Sequence, residues 1–253
     1  MSYFDRSYLV FSLLFVASLC VLEAGARIAA RTRVNEDEHH YEQVSGLRDS
    51  LLVLLSLLVG FTFAMAISHF ELRRQLSIDE ANAIGTACLR AETLADPHRF
   101  DLSSVLRQYL DARLEFARTE FGSPEEAASL RLTRKLQDAV WGQTAVIARQ
   151  DRSAVFGLFM QSVNEAIDLA EKRTAAREHR IPGVIWILVS VIALLASFTT
   201  GYGLKRRFWF PAVMMPLMFA AAVALIADLD SPTQGLIRTS SSSMIRLQQD
   251  LHK

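Results

Sequence analysis

From Leu51 to Phe70 the chain runs for twenty residues without an aspartate, glutamate, lysine or arginine. As a helix rising 1.5 Å per residue, that stretch spans about 30 Å, the thickness of a bilayer's hydrocarbon core. Three more apolar runs accompany it: Tyr8 to about Ala30, Gly183 to Leu204, and Phe208 to about Ala227. A buried helix of a soluble core usually keeps one polar stripe. The second, third and fourth runs show none of any strength. The third ends in Gly201-Tyr202-Gly203 and the fourth begins Phe208-Trp209-Phe210, which matches aromatic residues at a membrane–water interface. The sequence therefore predicts an all-α membrane protein with four transmembrane helices.

Charge distribution supports that reading better than bulk composition does. Lys+Arg and Asp+Glu are both 27, so net charge suggests no nucleic-acid partner. Cys20 lies in an apolar run and Cys88 in a polar helix, which implies neither a disulfide framework nor a metal site. A free thiol at Cys88 fits the cytosol. Arg6, the run Tyr8 to Leu22 and Glu23-Ala24-Gly25-Ala26 together resemble a cleaved leader. Asp5 offsets Arg6, however, and the apolar pattern continues to Ala30, so the run is read as a retained span.

The predicted layout has four parts. Residues 1–70 hold spans one and two with their connection, and 71–180 form a helical extramembrane bundle. Residues 181–229 hold spans three and four, and 230–253 form a C-terminal tail. Nothing breaks the second span at its end, so its helix should continue through Glu71-Leu72-Arg73-Arg74 to about Thr93. Asp101 should cap a helix whose apolar face is Leu102, Val105, Leu106, Tyr109, Leu110, Leu114, Ala117 and Phe121. Ser123-Pro124-Glu125-Glu126 combines an N-cap serine, a first-turn proline and a capping-box glutamate. The helix it starts should reach Gln150 and bury Leu130, Leu136, Val140, Trp141 and Ile147. A last helix should begin near Asp151 or Ser153, with Val155, Phe159, Val163, Ala166 and Ala170 on its apolar face, and run to Arg180. Asp228-Leu229-Asp230-Ser231-Pro232 reads as a turn. Ser240 to Ser243 is either a flexible joint or the cap of a terminal helix, Met244 to Leu251.

No sequence motif supports catalysis or cofactor binding: there is no nucleophile elbow, phosphate loop or His-x-x-x-His pair. His39-His40 beside Glu36, Asp37 and Glu38 could meet a metal, but a solvated loop explains them as well, since a metal site needs fixed geometry and a second shell. Glu23 and Arg27, with Arg31 a turn further, are either a helix ion pair with snorkelling arginines or functional intramembrane charge. After span two, Gln75, Asp79, Asn82, Thr86 and Arg90 share one stripe, and Arg73 and Glu80 share a neighbouring one. An exposed helix, a polar vestibule or a subunit contact could each carry them.

Leu58-Val59-Gly60-Phe61-Thr62-Phe63-Ala64-Met65-Ala66, Asp79-Glu80-Ala81-Asn82-Ala83-Ile84-Gly85-Thr86 and Leu89-Arg90 resemble the bacterial bestrophin-like family. The tail segments Asp228-Leu229-Asp230-Ser231-Pro232 and Gly235-Leu236-Ile237-Arg238 fit the same family. The resemblance covers nearly the whole chain. It extends distantly to bestrophins, which are pentameric anion channels with four spans per subunit. Carried onto this chain, the bestrophin neck would be Val53, Leu57 and Phe61. They recur every four residues, so one helix face could present all three to an axis, or to lipid. A ring of such side chains can gate a pore by dewetting. Where bestrophins have an aromatic-rich segment after span two, this chain has Phe70-Glu71-Leu72-Arg73-Arg74. Where they have an acidic calcium-binding cluster after span four, it has Asp228 and Asp230 alone.

The resemblance implies a homo-oligomeric, pentameric anion channel in the bacterial inner membrane. A non-conducting, membrane-anchored sensor or interaction module is the alternative. Two arguments on orientation collide. Arg31, Arg33 and Arg48, with Lys205, Arg206 and Arg207, make the short connections dense in positive charge, which draws them to the cytosol. Arg73, Arg74, Lys172, Arg173, Arg177 and Arg180 give the bundle side a similar total. The resemblance and Cys88 favour a cytosolic bundle.

Overall fold

The computed structural model describes residues 7–32, 38–204, 209–233, 235–237 and 239–251. Among them the chain is helical and contains no strand. Eight helices follow in order: α1 Ser7–Thr32, α2 Glu38–Ala91, α3 His98–Arg118, α4 Pro124–Ala148, α5 Ala154–Glu178, α6 Gly183–Gly203, α7 Trp209–Asp230 and α8 Ser242–Leu251. Four of them are long and apolar enough to cross a membrane, as the hydrophobic runs require. Glu36, Asp37, Arg33, Lys205, Arg206, Arg207 and Arg238 lie outside the described residues, as do the side chains of His39 and His40.

The chain forms two compact units. The first comprises Met1–Ser68 and Arg180–Ile237, the second His69–His179 and Arg238–Lys253. In the first, α1 packs against α6 and α7. Its buried residues include Leu14, Leu22, Trp186, Val189, Ile192, Ala196, Val223 and Ile226. Two glycines set the approach of α1 and α6. A Cβ on Gly201 would enter the space of the Leu22 carbonyl, and one on Gly25 would enter that of Phe198. Within a bilayer, where apolar surface alone drives no association, such close backbone contact supplies dispersion energy.

The second unit is built from the C-terminal part of α2 with α3, α4, α5 and α8. Its core joins Ile84 and Cys88 of α2 to Leu102, Leu106 and Leu110 of α3, Leu136 and Val140 of α4, Phe156, Phe159 and Val163 of α5, and Met244 of α8. α4 starts as its sequence dictates, with the Ser123 hydroxyl accepting from the Glu126 N–H. The Glu126 carboxylate reaches the Gly122 N–H, one residue before the cap, at 2.6 Å. Ser153 caps α5 in the same way through the Phe156 N–H.

Several sequence-based expectations shift in phase. Trp141 is exposed, because the buried stripe of α4 runs through Glu126, Ser129, Thr133, Leu136, Val140, Thr144 and Ile147. Trp141 sits one residue, or about 100° of helix, off that stripe. On α5 the buried position is Phe156 in place of the exposed Val155. Phe121 lies beyond the end of α3 and is exposed. α3 begins at His98, which puts Asp101 in its first turn, where a negative charge suits the helix dipole. α5 ends at Glu178, two residues short of Arg180. α7 runs on through Asp228 and Asp230, so these residues form its last turn. The serine run leads into α8, which begins at Ser242, and the Ser240 hydroxyl accepts from the Ser242 N–H.

Candidate functional site

The predicted neck residues share one face of α2, and the chain leaves that face uncovered: Val53 is 70% exposed, Leu57 52% and Phe61 65%. Leu55, Thr62 and Ala66, on other faces of the same helix, are buried. Helix periodicity thus separates a packed side from an open apolar side. Gly60, beside Phe61, has no neighbour within 4 Å of where a Cβ would stand.

In the second unit the two polar stripes of α2 part ways. Gln75 donates to Asp79 at 2.9 Å at the surface, and Asn82 is exposed. Thr86 is half-buried, and the Arg90 guanidinium donates to the Leu158 carbonyl of α5 at 2.6 Å. Arg73 and Glu80 turn inward and are buried. The Glu80 carboxylate is held between two arginines: Nε of Arg113 donates to Oε1, and Nη1 of Arg173 donates to Oε2 at 2.7 Å. Arg113 also donates to the Ala170 carbonyl, and Arg173 lies 3.3 Å from the Met244 sulfur of α8. One carboxylate of α2 therefore binds α3 and α5 directly and reaches α8 through Arg173.

A second buried pair adjoins the first. Arg177 meets Glu126 at 3.2 Å and donates to the carbonyls of Phe116 and Thr119. Arg113 and Arg177 both lie over the Phe116 ring, at 4.4 and 4.3 Å from its centroid, where the ring's quadrupole attracts cations. Burial pulls the Arg177 guanidinium down to about 10, against the opposing pull of Glu126. Burial lowers Arg173 as well, with Glu80 opposing. Sequence reading missed Arg113, Arg173, Arg177 and Glu126 as internal residues. The available signal was phase: Arg113 follows Leu106, Tyr109 and Leu110 on the apolar stripe of α3, and Arg173 follows Ala166 and Ala170 on that of α5.

Tyr109 borders this network, accepting from Gln137 at 3.2 Å. Burial pushes its phenol up to about 12, with the Arg113 charge opposing and Glu80 adding to the rise. Because the neutral form is favoured in the fold, this group's contribution to stability is complete below about pH 10 and is lost as pH rises toward about 12. In an absorbance titration the Tyr109 phenol is expected to ionise as a late step, at about pH 12. The Tyr109→Phe variant should lack that late step. A late step that persists in the variant would refute the assignment.

Asp228 and Asp230 serve neighbouring backbone. Asp228 accepts from the N–H groups of Leu236 and Ile237 at 2.9 Å and from the Ser7 hydroxyl at 2.9 Å. Asp230 accepts from the Ile181 N–H at 3.1 Å and lies 3.7 Å from Arg180. These donors offset the repulsion between two carboxylates and a helix C-terminus. Calcium takes six to eight oxygen ligands. Two carboxylates already bound by N–H groups do not fit such a site, and the described residues hold no group of three or more metal-binding side chains.

This geometry defines a multi-pass, all-α membrane protein with an open apolar face on its second span and a charge-tied helical bundle. The family profile of the Bestrophin-like domain matches residues 12–244. The chain belongs to the bestrophin-like family. Its fold is similar to that of a bacterial bestrophin homolog from Klebsiella pneumoniae. One variant of that protein is 12% identical, with 97% of each chain covered and a TM-score of 0.70. A second variant is 14% identical, with 94% of this chain and 95% of that chain covered and a TM-score of 0.70. At such identities the likeness shows the fold alone. No curated protein matches the chain.

Proposed function

We propose that the chain is one subunit of a homo-oligomeric ion channel with anions as its permeant class. Val53, Leu57 and Phe61 form the apolar constriction. The observation that carries this reading is the uncovered apolar face of α2. Five copies around an axis, the number implied by the bestrophin resemblance, would turn three exposed positions into three apolar rings. Each ring would hold back water and ions until it widens. The exposed Asn82 and the surface pair Gln75–Asp79 lie further along the same helix, suited to a hydrated vestibule or to contacts between copies.

Purified protein in chloride-loaded liposomes, with subunit number measured on the same sample, tests the reading. The triple change Val53→Ala, Leu57→Ala and Phe61→Ala is expected to raise chloride efflux several-fold. A folded oligomer that conducts equally with and without the change would remove these residues from the constriction. A monodisperse monomer in nanodiscs, or an oligomer without efflux, would favour the non-conducting interaction module.

The bundle is assigned to the cytosolic side of the bacterial inner membrane. A fluorescent protein fused after Lys253 should mature, and an alkaline phosphatase at the same place should stay inactive. The opposite pair of results would invert the orientation.

A further inference from the structure

Where the first turns of α3 meet the last turns of α4, the helical bundle has a cleft of about 390 Å³. Small-molecule sites span about 300–1,000 Å³. Leu102 and Ile147, both buried, form its floor, and Val146 lines it beside them. Gly142 helps keep it open, since a Cβ there would meet nothing within 4 Å. Asp101 and Gln143 bring polar groups to the same cleft, and neither is engaged. Asp101 is exposed, and its carboxylate has no hydrogen bond or ion pair among the described residues. Arg99, close by on the same helix, is held by Asp96 at 3.0 Å. The Gln143 Oε1 is buried and also lacks a partner. No lysine or arginine lines the cleft to oppose Asp101.

A free carboxylate beside an apolar floor selects a ligand with a cationic head and a hydrocarbon body. An anion would be repelled. A neutral alcohol would forgo the charge-assisted hydrogen bond, which is roughly twice as strong as a neutral one. A metal ion suits the cleft poorly: His98 and Asp101 stand three apart on α3, but the described residues bring no third metal-binding side chain to them. An amine answers each feature. Its body would cover Leu102, Val146 and Ile147, removing apolar surface from water. Its N–H groups would donate to Asp101, and the Gln143 amide can turn its oxygen toward the same head, because its terminal torsion is soft. We propose that the cleft between α3 and α4 binds a small primary amine with a hydrocarbon body.

The test uses the full chain in nanodiscs and three probes with one body and different heads: n-butylammonium, n-butanol and butyrate. Saturation-transfer NMR measures their affinities, with empty nanodiscs correcting for uptake by lipid. Butylammonium is expected to bind at least tenfold more tightly than either control. Asp101→Asn should bring it within about threefold of butanol, and Gly142→Phe should fill the cleft and weaken it at least tenfold. Circular dichroism checks that each variant keeps its helicity. If Asp101 serves only the dipole of α3, Asp101→Asn would lower the melting temperature and leave butylammonium affinity as in the parent, which would overturn the proposal. Equal affinities for the three probes would do the same, as would unaltered binding in a folded Gly142→Phe chain. So would a parent that binds zinc but no butylammonium, or one that binds no butylammonium and loses its oligomeric state on Gly142→Phe, since a neighbouring copy would then occupy the cleft.

Discussion

Replacing Glu80 with alanine is expected to destabilise the bundle by about 3–5 kcal/mol, because Arg113 and Arg173 would remain buried without their shared counter-charge. That is a large share of the stability of an ordinary domain, typically about 5–15 kcal/mol. The loss should depend little on salt, since the pair lies out of reach of screening ions. Protease resistance and thermal melting of the purified protein measure it. The loss comes from stranded charge more than from a missing attraction, so removing all three charges should recover most of it. A Glu80→Met, Arg113→Met, Arg173→Met chain is expected to melt within about 1 kcal/mol of the parent, as apolar replacements of buried ion clusters often do. If Glu80→Ala alone melts like the parent, the three side chains are not sealed from water.

The second large effect is expected in the apolar unit. Gly201→Val would drive a branched side chain into the Leu22 carbonyl of α1, where helix backbone occupies the space. Backbone cannot give way as a side-chain tip can. The expected cost is about 3 kcal/mol, at the upper end for overpacked cores. Unfolding in mixed micelles of rising SDS content would show it as an earlier transition. Gly203→Ala is the control: a Cβ there meets nothing within 4 Å, and its transition should stay within about 0.5 kcal/mol of the parent. Equal transitions for the two variants would mean that α1 and α6 are not in close contact.

Much of this architecture is legible in the sequence because it rests on local rules. Bilayer thickness fixes the length of a span, so Leu51 to Phe70 announces itself. Ser123 and Pro124 mark a helix start because cap chemistry acts within four residues. The four-residue repeat of Val53, Leu57 and Phe61 places them on one face before any coordinates exist. What the sequence hides depends on distant partners. Glu80 reads as part of a polar stripe until Arg113, 33 residues on, and Arg173, 93 residues on, are brought to it. Asp228 and Asp230 read as the remnant of an acidic cluster, and only the fold shows backbone N–H groups on their oxygens. Gly25 and Gly201 carry no periodic signal, because the contact they permit belongs to two helices at once. Trp141 misleads for a different reason: a large apolar side chain suggests burial, but phase along α4 outweighs size.

The helical bundle is discontinuous in sequence. Its core contains Met244, supplied by α8, yet the rest of the bundle is complete by His179. A ribosome adding about 5–20 residues per second needs several more seconds to make the intervening membrane helices and α8. Throughout that interval the nascent bundle exists without its last core residue, and the sulfur that will lie beside Arg173 has not been made. Maturation of the bundle therefore waits on the synthesis of α8: a message truncated just before α8 would yield all four membrane helices and an extramembrane bundle whose core stays open.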